Sequence, residues 1–351
     1  MCDQPPAPIR GRGAATNPPG RHAVRHAESP ADEPQPPATQ LHEETCRSII
    51  SRNRSPDVPF EQSLNPYRGC EHGCIYCYAR PSHSWLDLSP GLDFETRIFV
   101  KGNAAERLRE TLASPRYRPR PITIGANTDP YQPTERSRRI TRSVLEVLAE
   151  HAHPFSIITK SSLIERDLDL LAALAARRLC SVAISIPTLD DELKRTLEPR
   201  VPSARRRLTT IERLSGAGVP VTLMLAPVIP ALTDHEIEDI LAAAAAAGAS
   251  RATWVLLRLP HEVAPLFREW LRTHHPDRAD RVMSLIRQAR GGRDYDASWG
   301  RRQRGTGQYA AVIARRFEVA RRRCGYRTDA VDLDTSRFAR PGQSGQLDLA
   351  L

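Results

Sequence analysis

Between residues 41 and 335, short β-branched or apolar runs alternate with longer segments in which apolar residues return every three or four positions. That is the pattern of parallel βαβ units. The predicted strands are Ser63–Tyr67, Arg97–Val100, Ile122–Ala126, Phe155–Thr159, Ser181–Pro187, Val219–Ala226 and Ala252–Arg258. Helices are predicted over Ala104–Leu112, Thr134–Glu150, Leu163–Arg177, Ser203–Ala217 and Asp234–Ala247, with Gly216, Gly218 and Gly248 as stops. The expected fold class is α/β: a partial (β/α)6 TIM-like barrel, with a seventh strand allowed, followed by a C-terminal helical extension.

Outside this pattern the chain changes character. Residues 1–40 hold nine of the thirty prolines and no sustained apolar period, and are expected to be a disordered tail. The barrel core is expected over 41–258, an arginine-rich helical extension packed on it over 259–335, and a loose tail over 336–351. No apolar run reaches membrane-span length, and the first residues lack a basic region leading into an apolar one. The expectation is therefore a cytoplasmic protein with reduced cysteines and no membrane association.

The net charge of +10 is concentrated. Between Arg287 and Arg327 lie twelve arginines against Asp294, Asp296 and Glu318. Such a window can bind the phosphates of a nucleic acid, or it can be a solvated helix face.

The main chemical signal is the run Arg68-Gly69-Cys70-Glu71-His72-Gly73-Cys74-Ile75-Tyr76-Cys77-Tyr78. Its C-x3-C-x2-C spacing can bring three thiolates to one object. A [4Fe-4S] cluster held this way keeps one iron without a protein ligand. The alternative is a closed Cys3His zinc site completed by His72 or His83, in a non-catalytic nucleic-acid-binding protein. Zinc ligands usually come as two separated pairs, and no second pair follows Cys77. Cys2, Cys46, Cys180 and Cys324 are mutually remote and form no second motif.

In parallel α/β folds, ligands gather at the carboxyl ends of the strands. Four such ends carry polar or shaped residues. Gly125–Glu135 is a long polar loop that includes Asn127, Thr128 and Asp129; it is either functional or a proline-ordered turn capped by Asp129 or Thr134. Lys160 ends an apolar strand, where it either meets an anion or snorkels outward. Ser185 lies in a buried strand and is followed by Glu198-Pro199-Arg200; the serine can simply bond neighbouring backbone, and Arg200 can bridge Glu198 or Asp190. The apolar run Met224–Pro230 closes the set.

Taken together, the cysteine loop after the first strand, Tyr76 before the last cysteine and the partial barrel resemble the radical S-adenosylmethionine superfamily. The cysteine run, Thr128-Asp129-Pro130-Tyr131-Gln132-Pro133 and Leu197-Glu198-Pro199 resemble its spore-photolyase-like branch, over about residues 55–330. The resemblance implies a [4Fe-4S] cluster on Cys70, Cys74 and Cys77. It also implies S-adenosyl-L-methionine at the open iron, cleaved reductively to a 5′-deoxyadenosyl radical that takes hydrogen from a substrate, and an electron donor such as flavodoxin or ferredoxin. On this pattern Lys160 and Arg200 balance the cofactor carboxylate, Asn127 and Thr128 meet its amino end, Ser185 bonds a ribose hydroxyl and Tyr76 contacts adenine. One departure concerns the substrate. In spore photolyase a cysteine that donates hydrogen lies just before the polar loop, whereas here Gly125-Ala126-Asn127-Thr128-Asp129 contains no thiol. The catalytic hydrogen donor and the substrate are not assigned by the sequence.

Overall fold

A computed structural model describes residues 11–22 and 38–340. Its ten strands are β1 (Gln40–Glu43), β2 (Ile50–Arg52), β3 (Gln62–Leu64), β4 (Tyr67–Arg68), β5 (Arg97–Val100), β6 (Ile122–Ile124), β7 (Phe155–Thr159), β8 (Cys180–Ser185), β9 (Val221–Val228) and β10 (Arg251–Leu256). The larger sheet has the order β10-β9-β8-β7-β6-β3-β2. Strands β3 and β6 through β10 are mutually parallel, and β2 closes one edge antiparallel to β3. The six parallel strands form an open part-barrel, since β10 and β2 remain separate edges.

Alternation along the strands sorts the two faces. Ile122, Ile124, Phe155, Ile157, Val182, Ile184, Val221, Leu223 and Leu225 point to the helices and share one core with Val144, Leu148, Leu171, Ile211, Leu214, Ile240 and Leu241. The opposite face carries smaller and polar side chains, among them Thr123 and Ser156, whose hydroxyls meet at 2.9 Å. Residues of this face lead toward the rim, where the candidate site lies.

Two strand assignments are corrected. The expected strand Ser63–Tyr67 ends at Leu64, because Pro66 has no N–H for the ladder, and Tyr67–Arg68 leaves to pair with Phe99 and Val100. Arg97–Val100 accordingly belongs to a separate three-stranded sheet, β1-β5-β4, and is not a seventh barrel strand. The expected helix Thr134–Glu150 divides into Glu135–Arg138 and Ile140–Glu150 at Arg139, where φ is 54°. Buried Glu135 takes the Thr141 amide at 3.0 Å and the Tyr67 hydroxyl, which draws the chain inward at the break.

The extension packs in two places. Helices Val263–His274 and Ala279–Gln288 share a core with Ile75, Tyr76, Leu193 and Leu197 beside the cysteine loop, whereas Gly307–Arg323 lays Ala310, Ile313, Phe317 and Ala320 on the barrel core. Both tails are partly ordered, contrary to the sequence expectation. Residues 11–22 pack on the cysteine loop, with Ala14 buried, and Phe338 packs among Tyr117, His151 and His153. Residues 1–10, 23–37 and 341–351 of the two tails lie outside the described residues. Among those residues, no helix is long and apolar enough to cross a membrane.

Candidate active site

The chain after β4 folds into consecutive turns. Gly73 N–H donates to Cys70 O, Cys77 N–H to Cys74 O and Arg80 N–H to Cys77 O, while Cys70 N–H and Ile75 N–H reach out to Phe94 O and Leu197 O. The effect is to bring Cys70, Cys74 and Cys77, far from the other cysteines, to the carboxyl-end rim. Cys70 and Cys74 are buried, Cys77 is half-buried, and all three are free thiols. Arg80, fully buried, donates to Cys74 O through Nε (3.0 Å) and Nη2 (2.9 Å) and pairs with equally buried Glu95 at 2.5 Å. Burial, then the Glu198 carboxylate, hold the Cys74 thiol well above its ordinary pKa; burial and then Cys70 raise that of Cys77. An incoming metal must therefore displace protons from these sulfurs.

The non-cysteine members of the run fix the loop to its neighbours. Glu71 accepts from Arg200 Nη1 (3.1 Å), Thr39 Oγ1 (2.9 Å) and Thr134 N–H (2.6 Å). Gln132 accepts the Glu71 amide at 2.9 Å and donates to Gly69 O at 3.2 Å. His72 Nδ1 lies 3.3 Å from Asp129 Oδ2. Asp129 also accepts from Tyr131 N–H (2.9 Å), Thr159 Oγ1 (2.6 Å) and Lys160 N–H (2.8 Å). Burial alone would raise the Asp129 carboxyl, but His72 and these donors hold it down to about 2.

The residues expected to face a cofactor divide into two groups. Lys160 comes to the site: its ammonium lies 5.9 Å from the Tyr76 ring centroid. Burial alone would lower its pKa, yet the neighbouring Cys74, Glu198 and Asp129 raise it, so it is a cation next to the cysteine loop. Asn127 is exposed at the rim, its backbone N–H held by Asn65 Oδ1 at 2.9 Å. The others are engaged within the protein. Thr128 Oγ1 donates to Tyr67 O (2.8 Å) and Ser185 Oγ to Ala226 O (3.0 Å). The Tyr76 hydroxyl donates to Glu198, which pairs with fully buried Arg207 at 2.9 Å. Arg200 does meet a carboxylate, but that of Glu71, not Glu198 or Asp190.

Sequence reasoning passed over Asn65, Glu71, Arg80, Glu95, Gln132 and Arg207, and weighed His72 only as a zinc ligand, not as the partner of Asp129. For Glu71 and His72 a signal existed: charged residues between closely spaced metal ligands cannot all face solvent. For Arg80, Glu95 and Arg207 there was none, because their partners, though near in sequence, lie across loops and at no helix or strand spacing.

Most of the arginine window is paired within the chain, several of the pairs at the surface. Arg287, Arg302, Arg316, Arg321, Arg322 and Arg327 pair with Asp294, Asp57, Glu238, Glu318, Glu318 and Asp329. Arg290 is buried on the carbonyls of Leu256, Leu257 and Arg301, and Arg304 covers the Trp254 ring.

The donor set tests the two metal readings. Among the described residues, no three His, Cys, Asp or Glu side chains converge on a point that would hold a single ion. Both histidines of the zinc alternative are engaged: His72 faces Asp129, and His83 Nε2 lies 3.0 Å from Arg97 O with its ring edge-on to Phe94. Three soft thiols without a fourth partner suit an iron–sulfur cube better than a closed tetrahedral ion.

Residues 64–244 match the family model described as the radical SAM superfamily. This chain belongs to the radical SAM superfamily. It is thus an enzyme, and its specific reaction is a separate question. An uncharacterised protein of Mycobacterium tuberculosis is 39% identical over 259 residues, covering 72% of this chain and 76% of that one. One of Methanocaldococcus jannaschii is 29% identical over 173 residues, covering 49% and 62%. Among solved structures, spore photoproduct lyase complexed with dinucleoside spore photoproduct aligns at a TM-score of 0.52 and 16% identity, over 81% of this chain and 78% of that one. That likeness confirms the α/β part-barrel.

Proposed function

We propose that this radical SAM enzyme holds a [4Fe-4S] cluster on Cys70, Cys74 and Cys77 and abstracts hydrogen from a nucleic-acid-related substrate. The observation that carries the reading is the three-cysteine rim loop with the Lys160 cation beside it. When bound, the cluster supplies the electron that splits S-adenosyl-L-methionine into methionine and a 5′-deoxyadenosyl radical. The protein's part is positioning. Lys160 offers its ammonium to the cofactor carboxylate, Asn127 offers its exposed amide to the amino end, and Tyr76 presents its ring with the hydroxyl tied to Glu198. Thr128 and Ser185 shape the rim through backbone bonds while their oxygens keep lone pairs for a ligand. Arg200 acts through Glu71, holding the loop.

The substrate reading draws support from the dinucleoside bound by the spore photoproduct lyase aligned above, and from the rim itself. Half-exposed Tyr78 has the Arg258 guanidinium 4.7 Å from its ring centroid, and Trp299 is exposed on the loop that Gly300 anchors to Asp57. Cationic and aromatic surfaces side by side suit stacked bases. We place the enzyme in the cytoplasm with a flavodoxin or ferredoxin as electron donor.

The test is anaerobic purification, reconstitution with iron and sulfide, then dithionite and S-adenosyl-L-methionine with assay for 5′-deoxyadenosine. About four irons per chain and product formation are expected, both lost together in Cys70→Ala, Cys74→Ala and Cys77→Ala. About one zinc without iron, or a four-iron protein that yields no 5′-deoxyadenosine, would overturn the proposal.

A further inference from the structure

The proline-rich segment before the barrel is built into the cysteine loop. Gly13 N–H and Ala14 N–H donate to the two oxygens of Glu95 at 3.0 and 2.8 Å, and Arg12 Nη1 donates to Glu95 O at 3.1 Å. Glu95 is the fully buried partner of Arg80, which holds the Cys74 carbonyl. A buried ion pair is stable only when the remaining lone pairs of its carboxylate are filled, and here the two amides of the segment fill them. A chain of contacts thus runs from residues 13 and 14 through Glu95 and Arg80 to Cys74.

The approach is as close as backbone allows. A Cβ on Gly13 would stand 1.8 Å from the carbonyl oxygen of Gly73, the residue immediately before Cys74, so only glycine fits there. Further along, Leu92 N–H donates to Thr16 O, Asn17 exchanges bonds with Asp93, and Ser89 Oγ donates to Pro18 O at 2.6 Å. At the other side Thr16 Oγ1 reaches Glu269 Oε2 at 3.0 Å, on helix Val263–His274. The cavity left between this segment, Ile75 and that helix is only about 20 Å³, room for a single water.

We infer that residues 12–18 are a clasp on the cysteine loop: through Glu95 and Arg80 they fix the position of Cys74, and they close the loop's outer side against solvent. Gly13 and Glu95 are positioning residues for the cysteines. The inference concerns the thiols themselves and rests on the proposed reaction only for their purpose.

The experiment uses the metal-free, full-length chain, so that it is read independently of cluster assembly and turnover. Iodoacetamide labelling followed over time by peptide mass spectrometry gives a rate for each thiol. In Gly13→Val, Cys70 and Cys74 are expected to label about tenfold faster than in the parent chain, as loss of one or two net hydrogen bonds implies. Cys180, deep in the barrel core, should keep its rate. Unchanged rates at Cys70 and Cys74 would overturn the inference. Glu269→Ala removes the far anchor without touching the loop and covers the case in which Gly13→Val exposes Cys180 as well. It is expected to accelerate Cys70 and Cys74 about threefold with Cys180 constant; no acceleration would be equally fatal.

Discussion

Asp129 Oδ2 stands 3.3 Å from His72 Nδ1, with both side chains buried, so a residue from inside the cysteine run is ion-paired with the loop that follows β6. The same carboxylate takes the Thr159 hydroxyl and the Lys160 amide at the end of β7. One side chain therefore joins three rims. Asp129→Ala should strand His72 and three donors at once, the Tyr131 and Lys160 amides and the Thr159 hydroxyl, at a cost of about 3–5 kcal/mol, the range for breaking a buried pair. Urea unfolding of the metal-free chain measures it. A loss below about 1 kcal/mol, the size of a surface pair, would show that the junction is not under tension from burial.

Gly125 opens the polar loop at φ +85°, and a Cβ there would lie 2.3 Å from Ile158 O and 2.6 Å from Pro130 Cδ. Both the backbone angle and the adjacent strand exclude a side chain. Gly125→Ala should cost about 2–3 kcal/mol or more, combining left-handed strain with the displacement of β7. Thermal unfolding beside a control such as Gly216→Ala, where a Cβ meets nothing within 4 Å, separates the steric effect from a general helix or loop preference.

What the sequence disclosed follows from the range of the interactions involved. The six parallel strands and their helices were legible because their apolar periods are local, and Phe155–Thr159 matches residue for residue. The cysteine loop was legible because metal ligands are close in sequence. Residues 11–22 were not, since their stability comes from amides meeting Glu95, some eighty positions away, and proline-rich composition says nothing about such partners. Arg200 shows the same limit at the site: its partner Glu71 is 129 positions distant, so spacing favoured the nearer Glu198 and Asp190.

Two buried histidines should make the protein acid-sensitive. Burial is the main cause that lowers both His83 and His153 to about 4, below the ordinary value of 6.5. The unfolded chain then binds more protons between those values, so the stabilising contribution is complete above about pH 6.5 and is lost as pH falls toward 4. His153→Gln should flatten the fall by about 1–2 kcal/mol across that interval. Denaturation midpoints from pH 7.5 to 4.5 provide the comparison, and parallel curves for parent and variant would refute the assignment.

Lys160 is a cation beside the cysteine loop, coupled electrostatically to Cys74, and no carboxylate hydrogen bond to its side chain is found among the described residues. Lys160→Met preserves length and bulk. It should leave iron content unchanged while weakening S-adenosyl-L-methionine binding about 10- to 100-fold, the value of one charge-assisted hydrogen bond. Titration of the anaerobic reconstituted protein, followed by electron paramagnetic resonance of the reduced cluster, reads the affinity directly. Equal affinity in parent and variant would remove Lys160 from the cofactor's carboxylate.

The arginine window should bind nucleic acid with a shallow salt dependence. Of its twelve arginines, eight are committed to carboxylates, carbonyls or the Trp254 ring, and Arg293, Arg301, Arg315 and Arg323 carry no ion pair among the described residues. Each phosphate neutralised contributes about −0.9 to the slope of log K against log salt, so four free cations predict about −4, whereas twelve would give about −11. Neutralising Arg315 and Arg323 together should bring the slope to about −2, while Arg302→Gln should leave it unchanged and lower stability instead, because Arg302 is held on Asp57. A parent slope steeper than about −8 would mean that the intramolecular pairs, several of them at the surface, open on binding, and that the charge of the whole window faces the polyanion.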